Sequence, residues 1–267
     1  MKAVDELLEI MRTLRDPIHG CPWDREQTFS SILSYSLEEI YELAGAIEQN
    51  DMQEIRDELG DVLFHLVFYA QMAQEAGEFD FRGVVENIVA KLQRRHPHVF
   101  GTERVRDAGE QRLAWERIKS EERERQNGAK DTPLSLLDGI SKALPAVIRA
   151  GKLQQRAATV GFDWDDTRQV LDKLDEELAE LHYEIENGMD KQRITDELGD
   201  LMFACVNLAR HVQVDPELAL RQTNRKFEQR FNYIERRLAE QQRKPQDASL
   251  EEMEGLWQEA KQQQGHD

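Results

Sequence analysis

The chain has 267 residues and a formal net charge of −18, with 53 acidic residues against 35 Lys and Arg. An excess of that sign repels polyanions, which argues against nucleic acid and anionic membrane as partners. The length suits one large or two medium domains, and the two cysteines, Cys21 and Cys205, form no ligand pattern and fit a reduced cytoplasmic protein.

Apolar residues recur at three- and four-residue spacing while Gly and Pro are scarce, so the expected fold class is all-α. The opening segment MKAVDELLEIMRTLRD is amphipathic and carries acids, unlike a signal peptide, and no apolar run is long enough to span a membrane. Helices are expected near 2–15, 29–49, 52–76, 81–95 and 109–125. Ser36-x-x-Glu39 fits a capping box, so the second helix should restart or bend there. Trp23 reads as a core anchor and His65 as a satisfied core residue. His96-Pro97-His98 reads as a helix-ending turn. The polar stretch 125–135, RQNGAKDTPLS, marks a boundary. It divides the chain into a domain at 1–126, a linker at 127–135 and a domain at 136–267. Later helices are expected near 136–158, 167–187, 190–212, 215–241 and 249–263, with Thr167 and Ser249 as N-caps and Trp164 as a second core anchor.

The two halves repeat one another. DELGD occurs at Asp57–Asp61 and again at Asp196–Asp200. EExxE precedes each copy, at Glu38–Glu42 and Glu176–Glu180. Trp-Asp pairs come before these, KLQRRHPHVF and KFEQRF follow, and Trp115 and Trp257 close each half. Five matches in one order imply a tandem duplication.

Glu177 and Glu180 share one helix face, as do Glu197 and Asp200 on the next helix. Equal distances from the intervening turn place Glu180 opposite Glu197 and Glu177 opposite Asp200. Glu39, Glu42, Glu58 and Asp61 repeat the pattern. Leu178, Leu181, Leu198, Leu201 and Met202 should form the packed stripe bordering the acids, with Leu59, Val62, Leu63 and Leu66 in the first half. Carboxylates converge in this way around a cation, and an oxygen-only set with Asp where a di-iron bundle has His suits Mg²⁺, Mn²⁺ or Ca²⁺.

Mg²⁺ shares its ligands with phosphates, and cations stand near the second acidic set. Lys173 lies one turn before Glu177 and Arg193 one turn before Glu197. Arg225, Lys226 and Arg230 follow on the next helix, and Trp257, with Lys261 one turn on, offers a face for a base. The first half has Tyr35 and Glu54 where the second has Lys173 and Arg193, leaving Lys91, Arg94, Arg95, Trp115 and Lys119. The second half is therefore the better polyphosphate site.

CPWDREQT, EEIYE with ELGD, RRHPHVF, and EELAE with a second ELGD together resemble the MazG nucleoside triphosphate pyrophosphohydrolases over nearly the whole chain. The resemblance implies tandem helical bundles of the all-α NTP pyrophosphatase type, completed by homodimerisation. It implies Mg²⁺-dependent hydrolysis of nucleoside triphosphates, with broad base tolerance, to monophosphate and pyrophosphate. It places the metal on Glu177, Glu180, Glu197 and Asp200, and on Glu39, Glu42, Glu58 and Asp61 in the first half. The nucleotide falls on Lys173, Glu176, Arg193, Lys226, Arg230 and Trp257, with Glu176 or one of the metal-binding carboxylates helping to deprotonate the attacking water. Two other readings fit the acids: a pyrophosphatase for one modified nucleotide or alarmone, and a metal-stabilised scaffold without activity.

Overall fold

In the computed structural model the described residues are 2–101, 107, 109, 114, 115, 118, 122, 135–188 and 190–264, and no strand occurs among them. The chain divides into two compact units, Met1–Glu122 and Arg123–Asp267. The boundary stretch 125–134 and most of the helix expected at 109–125 lie outside the described residues. No helix among those described is long and apolar enough to cross a membrane.

The first unit is built on an antiparallel hairpin of α3 (Phe29–Gln49) and α4 (Met52–Glu75). α1 (Lys2–Leu14) packs on α4, α2 (Pro22–Glu26) is a short turn of helix, and α5 (Phe81–Arg95) leads through His96 into α6 (Pro97–Phe100). His96 thus ends a helix, as the HPH motif predicts. α3 does not restart at Ser36. It begins at Thr28, where a true capping box forms: Ser31 N donates to Thr28 Oγ1 (3.2 Å) and Thr28 N donates to Ser31 Oγ (2.8 Å). Ser36 lies mid-helix, with its hydroxyl bonded to Ile32 O (3.0 Å) and facing Tyr69 Oη (2.9 Å). Asn50, in the left-handed conformation (φ 55°), ends α3, and Asp51 caps α4. The core gathers Met11, Ile32, Val67, Phe68 and Met72.

The second unit repeats this plan with α7 (Ala146–Ala158), α8 (Thr167–Asn187), α9 (Lys191–His211), α10 (Pro216–Glu240) and α11 (Leu250–Gln264). α8 pairs with α9, α7 packs on α9, and α10 pairs with α11. Residues 136–145 form turns rather than the first part of the expected 136–158 helix. Gly139 has a positive φ (81°) and Pro145 is extended (ψ 142°), so helix begins only at Ala146. Asp166, not Thr167, caps α8, while Ser249 caps α11 by accepting from Glu252 N (3.2 Å).

The apolar stripe bordering the acids is not packed in the single chain. Leu181 is buried, but Leu178, Leu198 and Met202 are 43%, 46% and 53% exposed, and Leu59, Leu63 and Leu66 are likewise exposed. Val67 and Phe68 in the first hairpin and Ala204 and Val206 in the second are buried, so burial falls on these positions and not on the stripe leucines.

Thr28→Ala should cost about 1 kcal/mol through loss of the cap. Urea unfolding should show it, and amide exchange at Ser31 should quicken while α9 keeps its protection.

Candidate active site

Asp166 accepts from Arg168 N (2.9 Å) and Asp190 from Gln192 N (3.0 Å), fixing where α8 and α9 start and hence their register. That register brings Glu177, Glu197 and Asp200 together, with one oxygen of each within 4.8 Å of the others. α3 and α4 do the same with Glu39, Glu42 and Glu58. Each expected foursome is therefore a tight trio with one acid beside it. Glu180 stands outside the second trio and Asp61 outside the first, yet both act on it electrostatically.

Loss of hydration raises the pKa of Glu197, and the charges of Glu180, Asp200 and Glu177 raise it further. Glu58 is raised in the same way, first by desolvation and then by Glu42 and Asp61, and Glu39 by desolvation and then Asp61 and Glu42. Glu177 is buried, and its Oε2 has no hydrogen-bond partner. Converging, partly dehydrated carboxylate oxygens with an orphan acceptor fit a hard divalent cation.

Lys173 offsets part of this charge. Its Nζ lies 2.8 Å from Glu176 Oε1 and 2.8 Å from Glu177 Oε1, and these hydrogen bonds raise its pKa, keeping it cationic. The first unit holds Tyr35 there, edge-on to Trp23 with centroids 5.8 Å apart. Arg193 is exposed, 3.5 Å from Glu184 and 4.0 Å from Asp190. Lys226 is exposed on α10, and Arg230 lies over the Trp257 ring at 5.4 Å. The first unit repeats that last pairing, with Arg95 5.5 Å from the Trp115 centroid. There Arg94 and Arg95 each reach Glu122 at 2.6 Å and draw its pKa down to about 2. Lys119 lies outside the described residues.

A cavity of about 530 Å³ opens beside the second trio, with Lys173 and Glu177 in its wall. None of Arg193, Lys226, Arg230 and Trp257 lines it. The loop from Gly161 (φ 82°) carries Phe162 and Trp164 along its edge. Asp163 fastens that loop to α9, accepting from Arg210 Nη1 (2.8 Å) and meeting His211 Nε2 (3.1 Å). Trp164 and Trp23 are 44% and 48% exposed, so neither is the core anchor that the sequence suggests. His65 is buried as expected, but its Nδ1 lacks a partner and burial lowers its pKa. The residues that sequence reasoning missed are those of the cavity wall, chiefly Gln154, Phe203 and Asn207. Of these, only Asn207 has a signal in the sequence, since the repeat puts Phe68 at its place, whereas Phe203 matches Phe64.

Comparison with known proteins agrees with this geometry. A family profile described as the MazG nucleotide pyrophosphohydrolase domain matches residues 27–100 and 166–234. The chain is 48% identical over 265 residues to a protein of Escherichia coli (strain K12) named nucleoside triphosphate pyrophosphohydrolase, covering 99% of each. It is 39% identical over 257 residues to the nucleoside triphosphate pyrophosphohydrolase/pyrophosphatase MazG of Thermotoga maritima, covering 96% of this chain and 95% of that one. It is also 42% identical over 252 residues to the uncharacterized protein YabN of Bacillus subtilis, covering 94% of this chain and 50% of that one.

A carboxylate whose pKa is raised by folding favours the fold when protonated, so its cost is present at pH 7 and fades as the pH falls toward its ordinary value of 4.5. Glu197→Gln should therefore raise the melting temperature of the metal-free chain at pH 7. The gain over wild type should shrink to nothing below pH 4.5.

Proposed function

The chain belongs to the MazG nucleotide pyrophosphohydrolase family, and on that premise we propose that it hydrolyses nucleoside triphosphates, with broad base tolerance, to monophosphate and pyrophosphate in its second unit. The observation that carries this reading is Lys173, held between Glu176 and Glu177 at the meeting point of acidic trio and cavity. A scaffold would have no use for an ammonium there, and the first unit has Tyr35 at the corresponding position.

Glu177, Glu197 and Asp200, with Glu180 beside them, are the residues to hold Mg²⁺, for which Mn²⁺ is the alternative. Glu39, Glu42, Glu58 and Asp61 are their counterparts in the first unit. A bound Mg²⁺ supplies Lewis acidity and charge neutralisation at phosphoryl oxygens. Lys173 has three N–H donors; two serve Glu176 and Glu177, and the third is available to a phosphate oxygen. Glu176 Oε1 is taken by Lys173, so its Oε2 is the atom that accepts the proton of the attacking water. The water adds to the α-phosphorus in line with the bond to the β-phosphate, that P–O bond breaks, and pyrophosphate leaves. Arg193, Lys226 and Arg230 provide positive charge for the outer phosphates, and Trp257 holds Arg230 through the cation–π contact.

The exposed Leu178, Leu198 and Met202 stripe supports assembly as a homodimer, because an apolar stripe flanked by charge on both hairpins is an interface in search of a second copy. Two free cysteines, one of them exposed, are in keeping with a reducing cytoplasm.

With Mg²⁺ present, wild-type protein should release pyrophosphate from a panel of nucleoside triphosphates. Glu197→Ala should lose about 100-fold or more of that rate, and Glu58→Ala far less. Equal losses in the two variants would move the active site out of the second unit alone. Leu198→Asp should convert the dimer to monomer in sedimentation; an unchanged mass would show that the stripe is not the interface.

A further inference from the structure

Resting on the reading of Arg230 as a phosphate-binding group, we propose that Arg94 and Arg95 form a phosphate-binding site in the first unit, and that Glu122 fills it from within the chain.

Arg94 and Arg95 stand side by side in the last turn of α5. Consecutive helical residues point about 100° apart and do not ordinarily share a partner. Here both guanidinium groups close on one carboxylate. Arg94 Nε donates to Glu122 Oε1 at 2.6 Å, and Arg95 donates to Oε2 from Nη2 at 2.6 Å and from Nε at 3.0 Å. The carboxylate is drawn in, with its side chain 11% exposed. Hydrogen bonds from Arg95 and Arg94 hold its pKa down at about 2, so it is an anion at neutral pH. Trp115 backs the group: Arg95 lies over its ring at 5.5 Å, and His96 meets that ring edge-on at 5.0 Å.

Planar guanidinium forks that converge on one oxyanion are the means by which arginines hold phosphate. The charge count points the same way. Two cations face one carboxylate, which leaves one positive charge over, and Lys91 stands one turn before Arg95 on the same helix face. A phosphate or pyrophosphate carries more negative charge and more acceptor oxygens than a carboxylate, so it matches that surplus better.

The duplication shows what Glu122 replaces. The step that carries Lys91 onto Lys226 carries Arg95 onto Arg230, and the step that carries Trp115 onto Trp257 carries Glu122 onto Gln264. Arginine over tryptophan is common to both units. At the third position the first unit has an acid and the second an amide of almost the same size without the charge. An acid there competes with any other anion for the two arginines, and being tethered it competes at high effective concentration. The first unit thus keeps the arginine fork and withholds it from phosphate.

The test gives the first unit the residue of the second. Glu122→Gln and Glu122→Ser are titrated with inorganic pyrophosphate by calorimetry in EDTA, which keeps divalent ions off both acidic trios, and helix content is followed by circular dichroism. Each variant should bind one more pyrophosphate per chain than wild type, at an affinity about 10-fold or more above what wild type shows for that site, and added salt should weaken the gain. Arg94→Ala combined with Glu122→Gln should remove it. A folded variant that binds no more pyrophosphate than wild type overturns the proposal, and so does a gain that survives Arg94→Ala. Loss of helix in both single variants assigns Glu122 to folding alone and overturns it too. Pyrophosphate release from nucleoside triphosphates by wild type is measured separately. If release is absent while Glu122→Gln gains its site, the assignment of the arginines stands and the hydrolase reading falls.

Discussion

The structure turns on a repulsion that the fold enforces. Three carboxylates from two helices are held within 4.8 Å, and desolvation and mutual charge raise the pKa of Glu197 among them. Nothing in an isolated hairpin favours this, since the acids would separate if the helices slid or rotated. The register is fixed by the Asp166 and Asp190 caps and by burial of Val170, Leu181, Ala204 and Val206. Apolar burial and capping thus hold a cluster that is unfavourable by itself, which is how binding sites store the affinity they later express.

The duplication shows which parts of that arrangement are shared and which are particular. Both hairpins carry an acidic trio, and both pair an arginine with a late tryptophan. What differs is what surrounds the trio. Lys173 and the open wall at Ala204 and Asn207 belong to the second unit, whereas Tyr35, His65 and Phe68 occupy the corresponding places in the first. On the reading proposed above, it is these differences around a shared trio, and not the trio itself, that would distinguish the two units.

Much of this was legible in the residues. Helical spacing located α3, α5 and α8 to the residue, because apolar periodicity and Asp or Thr caps agree there. The acids were legible because the same letters recur before two apolar runs. The misses share one physical cause: they depend on what lies across space. Ser36-x-x-Glu39 has the letters of a capping box, but the Thr28 and Ser31 pair upstream caps first, and the helix runs through. Periodicity in 136–158 cannot register that Gly139 and Pro145 keep the first ten residues out of helix. Leu178, Leu198 and Met202 read as core because spacing reports a face and not its neighbour. Gln154 carries no motif at all; its burial follows from a bond to Phe203 O that only the fold creates.

Charge supplies the last link. A chain of net charge −18 repels a polyphosphate at long range, so affinity must arise locally and from few groups. Lys173 is committed in part to Glu176 and Glu177 and cannot neutralise a triphosphate by itself. The remaining positive charge has to come from other groups, and the cation that we propose on the acids would join Arg193, Lys226 and Arg230 in supplying it. The same reasoning assigns weight to the cavity. Where the net field is unfavourable, contacts to the uncharged end of a substrate matter more, because they are indifferent to the field and to salt. An acidic protein that handles nucleotides therefore needs its few favourable groups close together, and in the second unit Lys173 and Glu177 stand where the acidic trio meets the cavity wall.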